Sequence, residues 1–302
     1  MRVVPRLLSA AIVAVIISPS LMAAELTGTL KKIKESGTIT VGHRDSSIPF
    51  SYIADASGKP IGYSQDIQLK IIEAIKNALG TPDLKVKYNL ITAQNRIPLV
   101  QNGTVDLECG STTNNAERAQ QVAFSLGIFE ISTRLLSKKD SVYHDFENLK
   151  GKNVVTTAGG TSERLLKVMN ADKQMGMNII SGKDIGESFQ MLETGRAVAF
   201  MQDDALLAGE RAKARNPDEW AITGTAQSQD IYGCMMRKGD EPFKKVVDDA
   251  IKSTFASGDI YVIYDKWFNQ PIPPKNLNLN FPMSPELKGL IAHPADKPAT
   301  TP

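Results

Sequence analysis

The stretch VDLECGSTTNNAER (residues 105–118) decides the predicted fold, because an apolar strand ending at Gly110 passes through a polar turn directly into a helix. The segment YSQDIQLKIIEAIKNALG (63–80) has apolar residues four apart and ends in glycine, which is typical of an amphipathic helix. The segments TITVG (38–42) and LKVKYNLI (84–91) have the pattern of strands. The resulting order, β-α-β-α-β-α, favours an α/β fold with a mostly parallel sheet.

A second set of alternating strands and helices begins near Leu149 and runs to residue 215. Two α/β units followed by a C-terminal return segment indicate two lobes with a cleft between them. The strands RLLSKKD (134–140) and YGCMMRKG (232–239) are the expected crossings between the lobes. The predicted division is a signal peptide at 1–23, the first part of lobe 1 at 24–136, lobe 2 at 137–231, the lobe 1 return segment with its C-terminal helices at 232–292, and a Pro-rich disordered tail at 293–302.

The N-terminus has the layout of a secretory signal peptide, with two arginines, a short apolar run and small residues around Ala23. Cleavage after Ala23 would remove Arg2 and Arg6, so the net charge of +2 would fall to 0. A neutral chain gives no reason to expect binding to nucleic acid or to anionic membranes. The signal peptide predicts an exported protein, which we expect to act as a monomer.

The sequence contains none of the common catalytic or metal-binding motifs. A G-x-S-x-G elbow, zinc-ligand spacing, a P-loop and a G-x-G-x-x-G pattern are all missing, so no reaction, cofactor or metal is predicted. Cys109 and Cys234 could form one disulfide in an exported protein, or they could be two buried thiols on strands. The residues themselves leave both possibilities open.

Groups suited to anion binding recur instead where strands end. Asn114 and Glu117 have the spacing of a capping box at a helix start, which leaves residues 111–113 and Arg118 unexplained. Free N–H groups at a helix N-terminus attract a carboxylate, and an arginine one turn later can add a bidentate pair. This stretch therefore favours a ligand site over a plain cap.

The second unit repeats the arrangement, with Thr161 at a helix start behind two glycines. At the end of the strand FMQDD, Asp204 is expected to cap the next helix, while Asp203 could pair with a ligand ammonium. Arg44 and Arg96 also lie beside strand or helix ends, where ligands bind in open α/β sheets. Together these groups fit an amino acid that carries an additional negative charge.

Several longer stretches resemble one family. GHRDSSIPFSY (42–52), QNRIPLVQNGTVDLECGSTTNNAER (94–118), ETGRAVAFMQDDALLAGERAKA (193–214) and YGCMMRK (232–238) are similar to the glutamate/aspartate-binding members of the polar amino-acid (family 3) solute-binding proteins. The likeness covers residues 26 to 290. It implies a type II periplasmic binding protein fold whose two lobes close on the ligand by hinge bending. It also implies that the protein captures glutamate or aspartate in the periplasm and delivers it to the membrane subunits of an ABC transporter.

The resemblance carries over seven ligand-binding positions by motif. They are Arg118, Thr113 and Thr161 for the ligand α-carboxylate, Asp203 for its α-ammonium, and Ser111, Arg44 and Arg96 for its distal end.

Three positions depart from the family pattern, and the resemblance implies that two of them, Ala93 and Ile185, lie at the distal end of the ligand. Ala93 and Ile185 stand where relatives have a serine and a histidine, and Gly160 replaces a hydroxyl residue. An alternative expectation is therefore weaker binding of the acidic amino acid, or binding of a related anionic ligand that tolerates an apolar wall. Two further alternatives are a dehydratase-type periplasmic enzyme on the same fold and a sensor that reports the ligand to a membrane receptor.

Overall fold

The computed structural model describes residues 26–298, so the predicted signal peptide lies outside the described residues. The strands are β1 Thr38–His43, β2 Ser46–Ser47, β3 Ser51–Ile53, β4 Pro60–Ile61, β5 Lys85–Leu90, β6 Leu107–Glu108, β7 Ala123–Lys138, β8 Asn153–Thr157, β9 Asn178–Gly182, β10 Ala199–Asp203, β11 Trp220–Thr223 and β12 Gln229–Met236. The α-helices are α1 Gly28–Ser36, α2 Tyr63–Leu79, α3 Arg96–Gln101, α4 Ala116–Ala119, α5 Thr161–Asp172, α6 Ile185–Glu193, α7 Asp204–Lys213, α8 Glu241–Ala256, α9 Asp259–Phe268 and α10 Pro285–Ala292. Short 3-10 helices cover Phe146–Leu149 and Pro217–Glu219.

The large sheet has two halves that share the long strand β7, in the order β5-β1-β6-β12-β7-β10-β8-β9, with β11 also paired to β7. In the first half, β1 runs parallel to β5 and β6. In the second half, β8 runs parallel to β9 and β10. Strands β7 and β12 are antiparallel to each other. The predicted two-lobed α/β fold is therefore confirmed, with antiparallel strands where the lobes join.

Strand β7 begins well before the predicted crossing at 134–140. Its segment up to Ser132 pairs with β12, and from Thr133 onward it pairs with β10. Strand β7 therefore exchanges β12 for β10 as its pairing partner after Ser132, four residues before the predicted end of this part of lobe 1 at residue 136. Because most of β7 is buried on both faces, its sequence lacks the alternation that marks a half-buried strand.

Helix α2 forms as its periodicity predicts. Ile67, Ile71, Ile75 and Leu79 are buried, and Gly80 ends the helix in the left-handed conformation. The short sheet of β2, β3 and β4, which no pattern indicated, precedes this helix and carries the chain away from the strand end at His43.

An aromatic cluster fills the core of the first lobe below the cleft. Phe129 stacks on Phe268 at 5.0 Å between ring centroids and meets the edge of Phe50 at 4.8 Å. Phe50 also contacts Tyr232 of β12 edge-on at 5.1 Å. Offset and edge-to-face pairs of this kind add stability beyond the burial of their area. They hold β12, and the Tyr232 hydroxyl on it, in a fixed position.

Cys109 and Cys234 form a disulfide, with 4.3 Å between their Cα atoms. The bridge joins the end of β6 to β12, so it fixes the strand that carries Glu108 to its neighbour. Of the two possibilities that the sequence left open, the structure contains the disulfide.

Residues 293–298 belong to the predicted disordered tail but lie against the first lobe. The Ala295 carbonyl accepts from the Gly127 amide at 2.8 Å, and the Asp296 carboxylate pairs with Lys244 at 3.0 Å. These contacts explain why disorder is the wrong expectation for this part of the tail. Among the described residues, no helix is long and apolar enough to cross a membrane.

Candidate ligand-binding site

A small, tightly closed cavity lies between the two lobes. Six of the seven predicted ligand-binding residues line it, namely Arg44, Arg96, Ser111, Thr113, Thr161 and Asp203. The three departures from the family pattern, Ala93, Gly160 and Ile185, also line it. Thr157, Gln202 and Leu206 complete the lining and were not predicted.

Arg44 and Arg96 are buried cations whose donors are only partly satisfied. Arg96 donates from Nη1 to the Thr112 hydroxyl at 2.6 Å and to the Ser111 carbonyl at 3.2 Å. Its Nε, and the Nε and Nη2 of Arg44, have no hydrogen-bond partner among residues 26–298. Burial, followed by the charge of Arg96, lowers the pKa of Arg44 to about 10. Buried, unpaired guanidinium groups of this kind call for an anionic partner.

Arg118 takes a different position from the other two arginines. Its Nη1 donates to the Thr113 carbonyl at 3.0 Å and its Nη2 donates to the Gly159 carbonyl of the second lobe at 3.2 Å. Its side chain lines the neighbouring cleft rather than the cavity itself. Burial, followed by the charge of Arg96, lowers its pKa to about 9. We refer to Arg44, Arg96 and Arg118 as the arginine cluster.

The helix after the polar turn starts one residue later than the predicted capping box requires. Asn115, not Asn114, is the N-cap, and its side chain accepts from the Arg118 amide at 2.9 Å. Thr113 forms an antiparallel bridge with Tyr232, and the Asn114 amide donates to the Ile231 carbonyl at 2.9 Å. This pairing keeps the chain extended through Asn114, so the predicted cap by Asn114 and Glu117 is wrong.

Helix α4 has only four residues, since it ends at Ala119. Thr113 is therefore held at the cavity by strand-like pairing rather than by the start of a helix. The second lobe does present a helix start, because α5 begins at Thr161. Gly160 at its N-cap has no side chain to accept from the first-turn N–H groups.

Asp203 supplies a buried carboxylate at the opposite side of the cavity. It accepts hydrogen bonds from the Tyr232 hydroxyl, from the Ser162 hydroxyl at 3.3 Å and from the Thr133 hydroxyl at 3.4 Å. Burial is the main cause that raises its pKa to about 6. The group is therefore ionised at neutral pH and can accept from a ligand ammonium.

Asp204 does not cap helix α7 as predicted. Asp203 occupies the N-cap position, without a capping hydrogen bond from its side chain, and Asp204 is the first helical residue. The Asp204 carboxylate accepts from the Ala205 amide at 2.8 Å and from the Ser132 amide of β7 at 3.3 Å. Strand β10 ends at Asp203, so Asp204 already lies in the first turn of the helix.

Part of the cavity wall is apolar. Ala93, Ile185 and Leu206 are all buried, and all three face the same cavity as the cationic side chains. Ile185 is the first residue of α6, behind Asp184 as N-cap. The departures from the family pattern therefore lie at the cavity and not on the outer surface of the second lobe.

Several residues that shape the site carry no local signal in the sequence. Gln202 donates from Nε2 to the Thr157 hydroxyl at 3.1 Å, and its Oε1 accepts from the Asp203 amide at 3.0 Å. Tyr232 and Glu108 reach the site only because distant strands pair. In the described part of the chain, no three His, Cys, Asp or Glu side chains are grouped to hold a metal ion.

Comparison with known proteins gives consistent matches. Residues 39–270 match the bacterial extracellular solute-binding proteins, family 3. An L-glutamate/L-aspartate-binding protein of Pseudomonas aeruginosa is 71% identical over 299 residues, which cover 99% of each chain. A glutamate/aspartate import solute-binding protein of Salmonella typhimurium is 60% identical over 269 residues, which cover 89% of each chain. Among solved structures, a solute receptor for L-cysteine of Neisseria gonorrhoeae matches with a TM-score of 0.69 at 28% identity, covering 80% of this chain and 93% of that one.

Proposed function

Since the chain belongs to the bacterial extracellular solute-binding proteins of family 3, we propose that it captures glutamate or aspartate in the periplasm and delivers it to an ABC importer. The relatives from Pseudomonas aeruginosa and Salmonella typhimurium carry names that state this specificity. The observation that carries the proposal is the cavity in which unpaired donors of Arg44 and Arg96 accompany the carboxylate of Asp203. A buried site with these charges suits a ligand that has two carboxylates and one ammonium.

Each end of the ligand has a proposed partner. The α-ammonium pairs with Asp203, while the α-carboxylate accepts from the hydroxyls of Thr113 and Thr161 and from the uncapped start of α5. Arg118 supports the same carboxylate from behind Thr113, because its guanidinium is anchored on the Thr113 carbonyl. Hydrogen bonds with ionised partners contribute about 1.5–3 kcal/mol each.

The distal carboxylate of the ligand faces Arg44, Arg96 and the Ser111 side chain in this proposal. The free donors of Arg44 and Arg96 point to an anionic group, because a neutral side chain would leave buried charges uncompensated. A ligand with a side-chain amide of the same shape, such as glutamine, cannot neutralise the positive charge of Arg44 or of Arg96. The site therefore favours an acidic ligand over glutamine or asparagine.

The lobes touch across the cleft, as expected for the closed form of a hinged binding protein. Arg118 of the first lobe donates to the Gly159 carbonyl of the second, and Tyr232 donates to Asp203. These contacts link both lobes through residues beside the cavity. Ligand capture and lobe closure are therefore coupled in the proposal.

A thermal-shift screen of the purified protein against amino acids and dicarboxylates tests the proposed specificity. A ligand at 100 times its Kd adds about 2.7 kcal/mol of stability, which corresponds to a rise in Tm of roughly 5–10 °C. We expect such a rise with glutamate or aspartate. A rise with neutral amino acids and none with the acidic pair would contradict the proposal.

The apolar wall supports a second candidate, in which the site binds a related anionic ligand better than glutamate. Restoring polar groups with Ala93→Ser and Ile185→His separates the two. If the wall limits glutamate binding, each variant should tighten it about 2- to 10-fold, since a hydrogen bond contributes about 0.5–1.5 kcal/mol. Val142→His is the control, because Val142 is an exposed apolar residue that lines neither the cavity nor the neighbouring cleft. Unchanged glutamate affinity in both cavity variants removes the basis for the second candidate.

We infer that the protein binds its ligand without transforming it, because its relatives are binding proteins. Incubation of glutamate and aspartate with the protein, followed by mass spectrometry, tests this directly. Recovery of unaltered ligand is expected, and a product that accumulates with protein concentration would establish an enzyme.

A further inference from the structure

Glu108 is a buried carboxylate beside the cavity that the proposed ligand contacts do not use. Its side chain is fully buried, and it does not line the cavity. Its Oε2 accepts from the Thr112 hydroxyl at 2.8 Å, while its Oε1 has no hydrogen-bond partner among residues 26–298. Space for the carboxylate depends on Gly110, where a Cβ would lie 2.5 Å from Oε1. Gly110 therefore leaves room for a carboxylate that has no direct ion-pair partner in the described part of the chain.

Glu108 is connected to Arg96 through one hydroxyl group. Arg96 Nη1 donates to Thr112 Oγ1 at 2.6 Å, and Thr112 Oγ1 donates to Glu108 Oε2 at 2.8 Å. The same carboxylate raises the pKa of Arg44 against the effect of burial, and it raises that of Arg118 together with Asp203, which acts more strongly there. Glu108 is therefore a buried negative charge that acts on all three members of the arginine cluster.

The charges of the closed site balance when Glu108 is counted. The three guanidinium groups and the ammonium of the proposed ligand carry four positive charges. Glu108, Asp203 and the two carboxylates of an acidic amino acid carry four negative charges. The remaining acids near the arginine cluster, Asp45, Asp184 and Glu117, are not buried and are screened by solvent.

We propose that Glu108 is a specificity-determining residue that never touches the ligand: as the buried counter-ion of the arginine cluster, it sets how strongly the site distinguishes a charged from a neutral ligand side chain. The inference rests on the proposed function of glutamate binding. Glu108 repels the distal carboxylate of glutamate, so it moderates a discrimination that the arginine cluster alone would make stronger. In return, it permits three guanidinium groups to be buried side by side.

The test is Glu108→Gln, which keeps an acceptor for the Thr112 hydroxyl and removes the charge. Calorimetric titration gives the Kd of glutamate and, by displacement, the Kd of glutamine. We expect the ratio of the glutamine Kd to the glutamate Kd to rise about tenfold or more, because a buried unit charge acts on only one of the two ligands. A purely structural role would weaken both ligands together and leave the ratio unchanged.

Glu210→Gln is the matched control, because Glu210 is equally buried, pairs with Lys213 at 2.6 Å and lies outside the cavity lining. The ratio of the two Kd values in Glu210→Gln should equal the wild-type ratio. The inference is overturned if the ratio of the glutamine Kd to the glutamate Kd in Glu108→Gln is within twofold of the wild-type ratio or below it. The proposed function would still stand in that case, provided that the wild type binds glutamate. If ligand-free Glu108→Gln does not fold, refolding with each ligand is compared. Rescue by glutamate alone supports the inference, and rescue by both ligands or by neither contradicts it.

Discussion

Closure of the two lobes can be tested at Gly159, in the loop between β8 and α5. This glycine has φ +77°, and a Cβ placed on it would lie 2.9 Å from the backbone nitrogen of Gln94 in the first lobe. Ordinary contacts begin at 3.4 Å, so Gly159→Ala requires the lobes to separate by about 0.5 Å. The hydrogen bond from Arg118 to the Gly159 carbonyl would then lengthen from 3.2 Å to about 3.7 Å and be lost.

The expected loss of glutamate affinity follows from that hydrogen bond. A bond from a charged donor contributes about 1.5–3 kcal/mol, which corresponds to a roughly 10- to 100-fold rise in Kd. The left-handed backbone adds a separate cost of about 1–2 kcal/mol to the unfolding free energy of the ligand-free protein. Gly176→Ala isolates this second cost, since Gly176 has φ +63° and no atom within 4 Å of its Cβ position.

Isothermal titration gives both Kd values, urea unfolding gives the two stabilities, and small-angle scattering reports compaction on addition of glutamate. Both variants should lose similar stability, whereas only Gly159→Ala should lose affinity and compaction. Wild-type affinity in Gly159→Ala, or an equal loss in Gly176→Ala, would refute the reasoning.

Three further predictions concern single groups. Arg96→Met should weaken glutamate binding roughly 10- to 100-fold by titration, because a charge-assisted hydrogen bond is lost; unchanged binding would exclude Arg96 from the site. Since burial raises the pKa of Asp203 to about 6, the folded protein holds this proton more tightly than the unfolded chain. The stability contributed by this group should therefore fall by about 2.4 kcal/mol as the pH rises from 4 to 7, while glutamate affinity rises; Asp203→Asn should remove this contribution from the unfolding free energy and the rise in affinity from the titrations. Replacing Cys109 and Cys234 with serine removes a disulfide that joins residues 125 positions apart, and it should lower the free energy of unfolding in urea by about 2–5 kcal/mol. An unchanged free energy of unfolding would show that the disulfide does not stabilise the fold.

Most of the fold could be predicted because its signals are local. The spacing of Ile67, Ile71 and Ile75 marks α2, and the repeated strand-helix order gives the α/β class. The cavity could also be predicted in outline, since strands that run parallel bring their carboxyl ends to one edge. The rule places Arg44 at one edge of the first half of the sheet and Asp203 at one edge of the second half, and the antiparallel pairing of β7 with β12 and β10 turns these two edges toward the same cavity.

The rest could not be predicted, because it depends on contacts between distant segments. The pairing of Thr113 with Tyr232 moves the helix cap from Asn114 to Asn115, and no local pattern reports it. Arg118 has the residue type of a ligand contact, yet two backbone carbonyls hold its guanidinium outside the cavity lining. The burial of Glu108 likewise follows from the pairing of β6 with β12.

The central claim is that the closed cavity selects an acidic amino acid by charge. The most direct test is calorimetric titration of protein that has been unfolded, dialysed and refolded to remove any bound ligand, using glutamate, aspartate, glutamine and asparagine in parallel. The arrangement of Arg44, Arg96 and Asp203 predicts that each acid binds at least about 100-fold more tightly than its amide, or about 2.7 kcal/mol. An amide that binds as tightly as its acid would contradict the claim.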